Sequence, residues 1–333
     1  MQRFEPHRAA TACNLCQSSD GTLIAIEDRD GQPLAVTCCR RCGLAYVDPM
    51  PSREELARFY AQRYRLEYKQ ANRPRLKHVH RAGKVALARL DVARRLAAPQ
   101  ARVLECGAGG GEFSYLLASR GYRLTGIEPN DGYREYAKAE YGVDLRPGTL
   151  DDNDFAAGEF DLITLFHVLE HVPDPGAALA RLAGWLRTGG HLYIEVPNAL
   201  TAVSSPANLY HRAHLYYFSA APLVALAGNA GLTAITVDGD PARANLTATF
   251  VKSGERSAAP MHAGQEAAHD AVVAANRRRT LARYLTAPAT LSAVVPRLRA
   301  LAEERRVEDS GLTGRAALDR LYRTQASGQQ VDA

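Results

Sequence analysis

Four cysteines in this 333-residue chain are spaced to hold a metal. Cys13 and Cys16 form one Cys-x-x-Cys pair, and Cys39 and Cys42 form a second after a gap of 22 residues. Two such thiolate pairs can close a tetrahedron around zinc, and four protein ligands leave no position open for catalysis, so the ion would be structural. Cys38 could compete with Cys39, but the spacing to Cys42 favours Cys39. A second stretch, VLECGAGGGEFSYLL at residues 103–117, places four glycines in the five positions 107–111. Bare backbone between a strand and a helix serves a ligand that must approach the main chain closely. The dinucleotide pattern G-x-G-x-x-G would need its third glycine where Glu112 stands, and a carboxylate there would oppose a pyrophosphate. The spacing present is Glu105, Gly107, Gly109, Gly111. One strand later Glu128 is placed to accept hydrogen bonds from two ribose hydroxyls. His167, His171, His211 and His214 are candidate proton acceptors, since an imidazole with an ordinary pKa near 6.5 can take a proton at neutral pH. Glu195, at the end of a predicted strand, is a candidate to touch an acceptor.

These residues need elements that hold them. Between the cysteine pairs, DGTLIAIEDRDGQPLAVTC reads as two short strands joined by a turn near DRDG, the layout of a zinc ribbon. So small a module lacks a core of its own, and the metal would supply its folding energy. Ser52 looks like an N-cap, and REELARFYAQRYRLEY then has a helical pattern with Tyr60, Tyr64 and Tyr68 on one face. That stripe either packs inward or covers a bound ligand. A second helix is expected from Pro74 to Leu96. From residue 101 the chain alternates between strand and helix: ARVLECG, a helix to Arg120, YRLTGIEP, a helix to Tyr141, VDLRPG, FDLITLFHV, a helix from Asp174 to Leu186, and HLYIEVPN. A helix from Ser219 to Ala230 precedes TAITVDG and ANLTATFVKS, two strands with no helix between them. The fold class is therefore α/β, a seven-stranded, mostly parallel Rossmann-like sheet with an antiparallel edge. The expected segments are the ribbon at 1–50, a basic helical linker or cap at 51–100, the sheet domain at 101–254 and a helical tail at 255–333 with a disordered end.

Bulk composition limits the class. Hydrophobic content of 46% and charged content of 23% suit a soluble globular protein. No apolar run reaches the roughly 18 residues of a membrane span, and the start MQRFEPHRAATAC lacks the apolar region of a secretory signal. With the cysteines in metal-like pairs, a reduced cytoplasmic setting is expected. The net charge of +5 is unevenly spread. Residues 53–102 carry 14 basic against 4 acidic side chains, whereas 103–260 carry 11 against 18. The basic segment is either the solvated face of a helix or a holder for an anionic substrate such as a nucleotide diphosphate.

The spacing at Glu105, Gly107, Gly109 and Gly111, with GIEP, GTLDDNDFAAGEFDLITLFHVLEHVPDP and LRTGGHLYIEVPN after it, resembles the motifs of class I S-adenosylmethionine (SAM) methyltransferases over residues 101–252. The resemblance implies SAM as cofactor, with Glu128 at the ribose, Leu150 and Asp151 against the adenine, and Phe166 and His167 near the methionine part. SAM carries an ammonium and a sulfonium in place of phosphates, which suits an acidic site. The ribbon and YHRAHLYYFSAAPLVALAGNAG together resemble a bacterial group of sugar and glycan methyltransferases. In sugar C-methylating members a Glu-His pair removes a proton from carbon. His214 matches that histidine, but Ala213 stands where the glutamate would be, and the tail is shorter than the second domain of those enzymes. Both departures favour oxygen methylation. The expected function is methyl transfer from SAM to a sugar hydroxyl of a nucleotide sugar or surface glycan, with His214, His167 and Glu195 as catalytic residues. The alternatives are a sugar C-methyltransferase, a natural-product methyltransferase, an RNA methyltransferase gripping through the ribbon and basic helix, and a SAM-binding scaffold. The end of the fourth strand, LFHVLEH, lacks the motif of amino-group base methylases, and the ribbon segment carries a net negative charge, so a nucleic-acid partner is disfavoured. The carboxy-terminal helices could pack on the core, form a homo-oligomer interface or bind a partner.

Overall fold

A computed structural model describes residues 11–52, 54–56, 58, 74–253 and 265–328. The tyrosine stripe at Tyr60, Tyr64 and Tyr68 and the last five residues of the tail lie outside the described residues. The chain forms two compact units, residues 1–55 with 165–293, and residues 56–164 with 294–333. In this division both the ribbon and the tail join parts of the chain distant in sequence.

In the first unit, β1 (Gly21–Glu27) and β2 (Pro33–Cys39) form the expected hairpin, paired from Gly21 opposite Cys39 to Glu27 opposite Pro33. Its turn is closed by Asp28, whose carboxylate accepts from the backbone N–H groups of Asp30 at 2.9 Å and Gln32 at 2.8 Å. A third strand, β3 (Ala45–Val47), pairs with β2, and its other edge pairs with β9 (Tyr216–Tyr217). The ribbon is thus one part of a four-stranded sheet whose last strand comes from the loop that carries His214.

The strands of the α/β core are β4 (Arg102–Cys106), β5 (Arg123–Glu128), β6 (Arg146–Pro147), β7 (Phe160–Phe166), β8 (Leu186–Pro197), β10 (Leu232–Asp238) and β11 (Asn245–Lys252). They form a seven-stranded sheet in the order β10-β11-β8-β7-β4-β5-β6. Pairs β4–β5 and β5–β6 are parallel, while β11 runs antiparallel to both β8 and β10, giving the expected edge. Strand β7 divides between the units, with residues to Thr164 in the second and Leu165 and Phe166 in the first. Its run Leu162, Ile163, Leu165 is wholly buried, as expected of a strand without a solvent face.

The second unit opens with α1 (Leu76–Leu96), whose buried residues Val79, Gly83, Ala86, Leu87, Leu90 and Ala93 recur at helical spacing. Helices α2 (Glu112–Ser119) and α3 (Asp131–Tyr141) follow β4 and β5. Asn130 caps α3 by accepting from the Tyr133 amide at 3.0 Å. In the first unit α4 (Pro175–Trp185) starts on the Asp174 cap with proline at its first position, and α5 (Ala220–Asn229) precedes β10.

The tail packs inward. In the first unit α6 (Gln265–Arg278) places Val272 and Val273 in the ribbon core with Leu34, Val36 and Tyr217, and α7 (Leu281–Thr286) and α8 (Pro288–Ser292) follow. The Asn276 carboxamide donates to the Ile24 carbonyl at 2.6 Å and accepts from the Tyr210 hydroxyl at 2.8 Å. In the second unit α9 (Val294–Glu308) and α10 (Gly314–Gly328) pack on α1. Arg81 forms a bidentate pair with Glu304 at 2.8 and 2.6 Å, Lys84 meets Glu303 at 2.5 Å, and Arg75 meets Glu308 at 2.7 Å. Arg75, Arg81 and Lys84 of the basic segment are thus paired with glutamates of α9.

Candidate functional site

The glycine turn joins β4 to α2 within the second unit. Gly109 has φ +55° and Gly111 φ +85°, backbone that favours glycine. A side chain at Gly111 would strike the Ala137 Cβ at 2.8 Å, whereas one at Gly109 would meet open space. Glycine at 111 thus permits close packing against α3, and at 109 it leaves the main chain bare to a ligand.

Two carboxylates hold this turn. Glu128, 6% exposed at the end of β5, accepts from the amides of Gly109 and Asn130, each at 2.8 Å. Burial raises its pKa, and those two amides pull it back. Glu105, 2% exposed on β4, accepts from the Ser114 hydroxyl at 2.5 Å. Burial pushes Glu105 up to about 8, and burial also pushes Glu112 up to about 7. Burial therefore favours the protonated acids, and a bound cation would favour their ionised forms. In the following loop Leu150 is buried and Asp151 exposed.

The first unit carries the histidines. His167, at the end of β7, has φ +57°, an uncommon conformation for a residue with a side chain and one that concentrates at functional sites. Its amide donates to the Glu195 carbonyl at 2.8 Å. Its ring reaches Glu170 through Nδ1 at 3.3 Å and Glu195 through Nε2 at 3.2 Å. Burial lowers the imidazole's pKa, but hydrogen bonds and attraction from Glu170 and Glu195 outweigh it and raise the pKa to about 9. His167 is therefore a resting cation at neutral pH and not a free base. The Asn245 carboxamide completes the group, donating to Glu195 at 2.8 Å. Phe166 beside it is buried, its ring 5.9 Å from that of Tyr193.

His214 lies on the loop before β9, its ring centroid 4.9 Å from His171 and 5.0 Å from His211. Burial, followed by the neighbouring imidazoles, lowers its pKa to about 2, so the ordinary value expected near 6.5 is corrected: the ring stays neutral and holds a proton weakly. Ala213, in the place of a paired glutamate, gives its carbonyl to His171 Nδ1 at 2.8 Å. A carboxylate nonetheless arrives from elsewhere in the chain. Glu170, on the 3-10 turn Leu169–His171, is wholly buried, and one ligand atom each from Glu170, His171 and His214 lie within 4.8 Å of one another. Neither Glu170 nor Asn245 was assigned a role from sequence. The turn after β7 reads as the start of a helix, and Asn245 follows no motif.

The four paired cysteines come together in the ribbon. The sulfurs of Cys13, Cys16, Cys39 and Cys42 lie within 4.8 Å of one another, with Cys13–Cys42 and Cys16–Cys39 at 3.4 Å, and all four residues are buried. Cys38 points away, its sulfur 3.7 Å from the Gly43 carbonyl. No helix among the described residues is long and apolar enough to cross a membrane.

A profile described as a methyltransferase domain matches residues 50–237, more than half of the chain. The ubiquinone biosynthesis O-methyltransferase of Xanthomonas campestris pv. campestris is 38% identical over 123 residues, covering 34% of this chain and 51% of the relative. The protein of that name from Xanthomonas euvesicatoria pv. vesicatoria is 33% identical over 167 residues, covering 44% and 69%. The chain spans about half the length of the first curated relatives it matches. Among solved structures, the 1,6-didemethyltoxoflavin-N1-methyltransferase of Burkholderia thailandensis, with S-adenosylhomocysteine bound, is 20% identical over 66% of this chain and 96% of its own, with a TM-score of 0.44. With the glycine turn, the two strand-end carboxylates and the seven-stranded sheet in place, the family match makes this chain a member of the methyltransferase-domain family and a SAM-dependent methyltransferase.

Proposed function

We propose that this methyltransferase transfers the methyl group of SAM to a hydroxyl oxygen of a polar acceptor, a sugar hydroxyl of a nucleotide sugar or surface glycan. The observation that supports it best is the group His167, Glu195 and Asn245. There an imidazole, a carboxylate and a carboxamide lie within hydrogen-bonding reach of one another, side chains that suit a hydroxyl-bearing acceptor better than an apolar one. The word O-methyltransferase in the names of the curated relatives supports oxygen as the acceptor atom. For the anionic part of the acceptor, the tail offers arginines. A cavity of about 450 Å³ in the first unit is lined by Leu200, Thr201, Arg278, Arg279 and Arg283. Arg279 is spent on backbone carbonyls, including that of Thr201 at 3.0 Å, which leaves Arg278 and Arg283 for phosphate.

The second unit fits SAM. The bare backbone at Gly109 admits the ligand, Glu128 has lone pairs left for the ribose hydroxyls, and Glu105 brings an acid whose ionisation a cation would restore. Leu150 and Asp151 are assigned to the adenine. SAM supplies an electrophilic methyl group. His214, with Glu195, receives the acceptor hydroxyl, and the hydroxyl proton must leave as the oxygen–carbon bond forms. In the ribbon, the crowded buried sulfurs of Cys13, Cys16, Cys39 and Cys42 fit a structural zinc ion and leave it no open position.

A second reading, a phenolic hydroxyl on a quinone precursor, rests on the names of the curated relatives. Incubation with methyl-labelled SAM and separate pools of nucleotide sugars, glycan extract, hydroxylated aromatics and RNA distinguishes them. Label in the sugar pools is expected. Label in the aromatic pool would favour the second reading, and label in RNA alone would overturn both.

A further inference from the structure

We propose that Glu170, His171 and His214 bind a divalent first-row transition-metal cation that activates the acceptor hydroxyl. The site is separate from the thiolate cluster. The inference rests on the hydroxyl-methylation reading and replaces direct proton transfer to His214 with activation by the ion.

Glu170 raises the problem that the cation solves. Its side chain is 1% exposed, and apart from the His167 ring its oxygens have no hydrogen-bond donor among the described residues. A carboxylate buried in that state is costly unless a positive charge compensates it. The His167 cation supplies that on one side, with Nδ1 3.3 Å away. On the other, His171 Nε2 faces it at 3.9 Å. The His171 tautomer is set by the backbone: Nδ1 lies 2.8 Å from the Ala213 carbonyl, which only accepts, so Nδ1 carries the hydrogen. In that tautomer Nε2 presents its lone pair toward the carboxylate. Two electron-rich groups that face each other across a gap too long for a hydrogen bond leave room for a cation between them.

His214 supplies the third ligand. Its Nδ1 is buried without a partner among the described residues, and one ligand atom from each of the three residues lies within 4.8 Å of the others. Bonds of about 2.0–2.2 Å to nitrogen and oxygen would draw these atoms slightly closer, which rotation of the two partly exposed imidazoles can supply. The hydrogen bond from His171 Nδ1 to a backbone carbonyl is also the outer-sphere contact that metal-bound histidines characteristically make. Two imidazoles and one carboxylate suit zinc, manganese, cobalt or iron(II) better than magnesium or calcium. Three protein ligands leave a position for the hydroxyl oxygen.

The chemistry balances without a redox partner. The ion lowers the pKa of the acceptor hydroxyl, whose proton passes to solvent. An oxygen electron pair forms the new bond to the methyl carbon as the carbon–sulfur bond breaks, and the bonding pair stays on sulfur. The products are a methyl ether, S-adenosylhomocysteine and one proton.

The test uses the full chain with its thiolate site loaded with zinc and titrates it with Mn²⁺ alone, read by electron paramagnetic resonance. Thiolate clusters hold Mn²⁺ poorly, so the probe reports the nitrogen–oxygen site. One Mn²⁺ per chain is expected, with affinity reduced about tenfold or more in Glu170→Gln and in His171→Gln. SAM affinity and the melting temperature verify that each variant is folded. No bound Mn²⁺ in the wild-type chain, or equal binding by folded variants, would overturn the site. Undiminished methyl transfer after the second ion is removed, with the zinc retained, would overturn its role and leave the hydroxyl reading intact. Mn²⁺ binding with label on no oxygen acceptor would uphold the site and reject that reading.

Discussion

Tyr46, in the third strand of the ribbon, pairs across an antiparallel ladder with Tyr216, two residues beyond His214. Their ring centroids lie 6.5 Å apart, and the next pair joins Ala45 to Tyr217, whose hydroxyl lies 3.1 Å from the His211 amide. The thiolate cluster and the histidine loop therefore share one small sheet. Metal in the first should set the position of the second.

Cys39→Ser should lose the zinc and, with it, much of the order of the His211–Tyr217 segment. Binding of a structural zinc is worth on the order of 10 kcal/mol in small modules, so the first unit should melt earlier. Methyl transfer should fall while SAM affinity, a property assigned to the second unit, stays the same. Metal analysis, a thermal melt and calorimetry with SAM check the three parts.

His214→Ala should slow methyl transfer by roughly 100-fold or more, the scale expected when proton removal from the acceptor is lost. SAM should bind as before. Turnover near that of the wild type would move acceptor activation to another residue.

Glu128→Ala should weaken SAM binding by about 1–2 kcal/mol, or roughly tenfold, through loss of charge-assisted hydrogen bonds. The same carboxylate ties down the Gly109 and Asn130 amides, so the variant should also loosen the glycine turn. Calorimetry measures the first effect and amide exchange at residues 107–111 the second.

Glu105 makes stability depend on pH. Its folded pKa of about 8 is raised by burial above the ordinary 4.5, so the folded chain holds a proton that the unfolded chain has released. The resulting stability is complete below about 4.5 and is lost as the pH rises through about 8. Without ligand, wild type should lose melting temperature over that window, and Glu105→Gln should lose less. Because SAM brings positive charge, its binding should release protons and tighten as the pH rises, measurable by calorimetry in buffers of different ionisation enthalpy.

Local patterns were readable from the sequence, and long-range pairings were not. The paired cysteines, the spacing Glu105 to Gly111 and the alternation of strand and helix are signals carried within short windows. Strand β9 has two residues and β3 three, too few for an alternation pattern, so the ribbon read as a separate module. The pairing of Arg75, Arg81 and Lys84 with Glu308, Glu304 and Glu303 was hidden because those partners lie more than 200 residues away. The candidate site divides in the same way. Glu128 and the glycines follow from motif, whereas Glu170 gains significance from its burial and from a loop some 40 residues later that brings His214 to it.

The most direct test of hydroxyl methylation is to find which atom receives the methyl group. Transfer from SAM carrying a carbon-13 methyl, followed by nuclear magnetic resonance of the isolated product, reports this whatever the acceptor is. A methoxy signal correlated with a sugar ring carbon is predicted. A methyl carbon bonded directly to carbon or nitrogen would contradict the account.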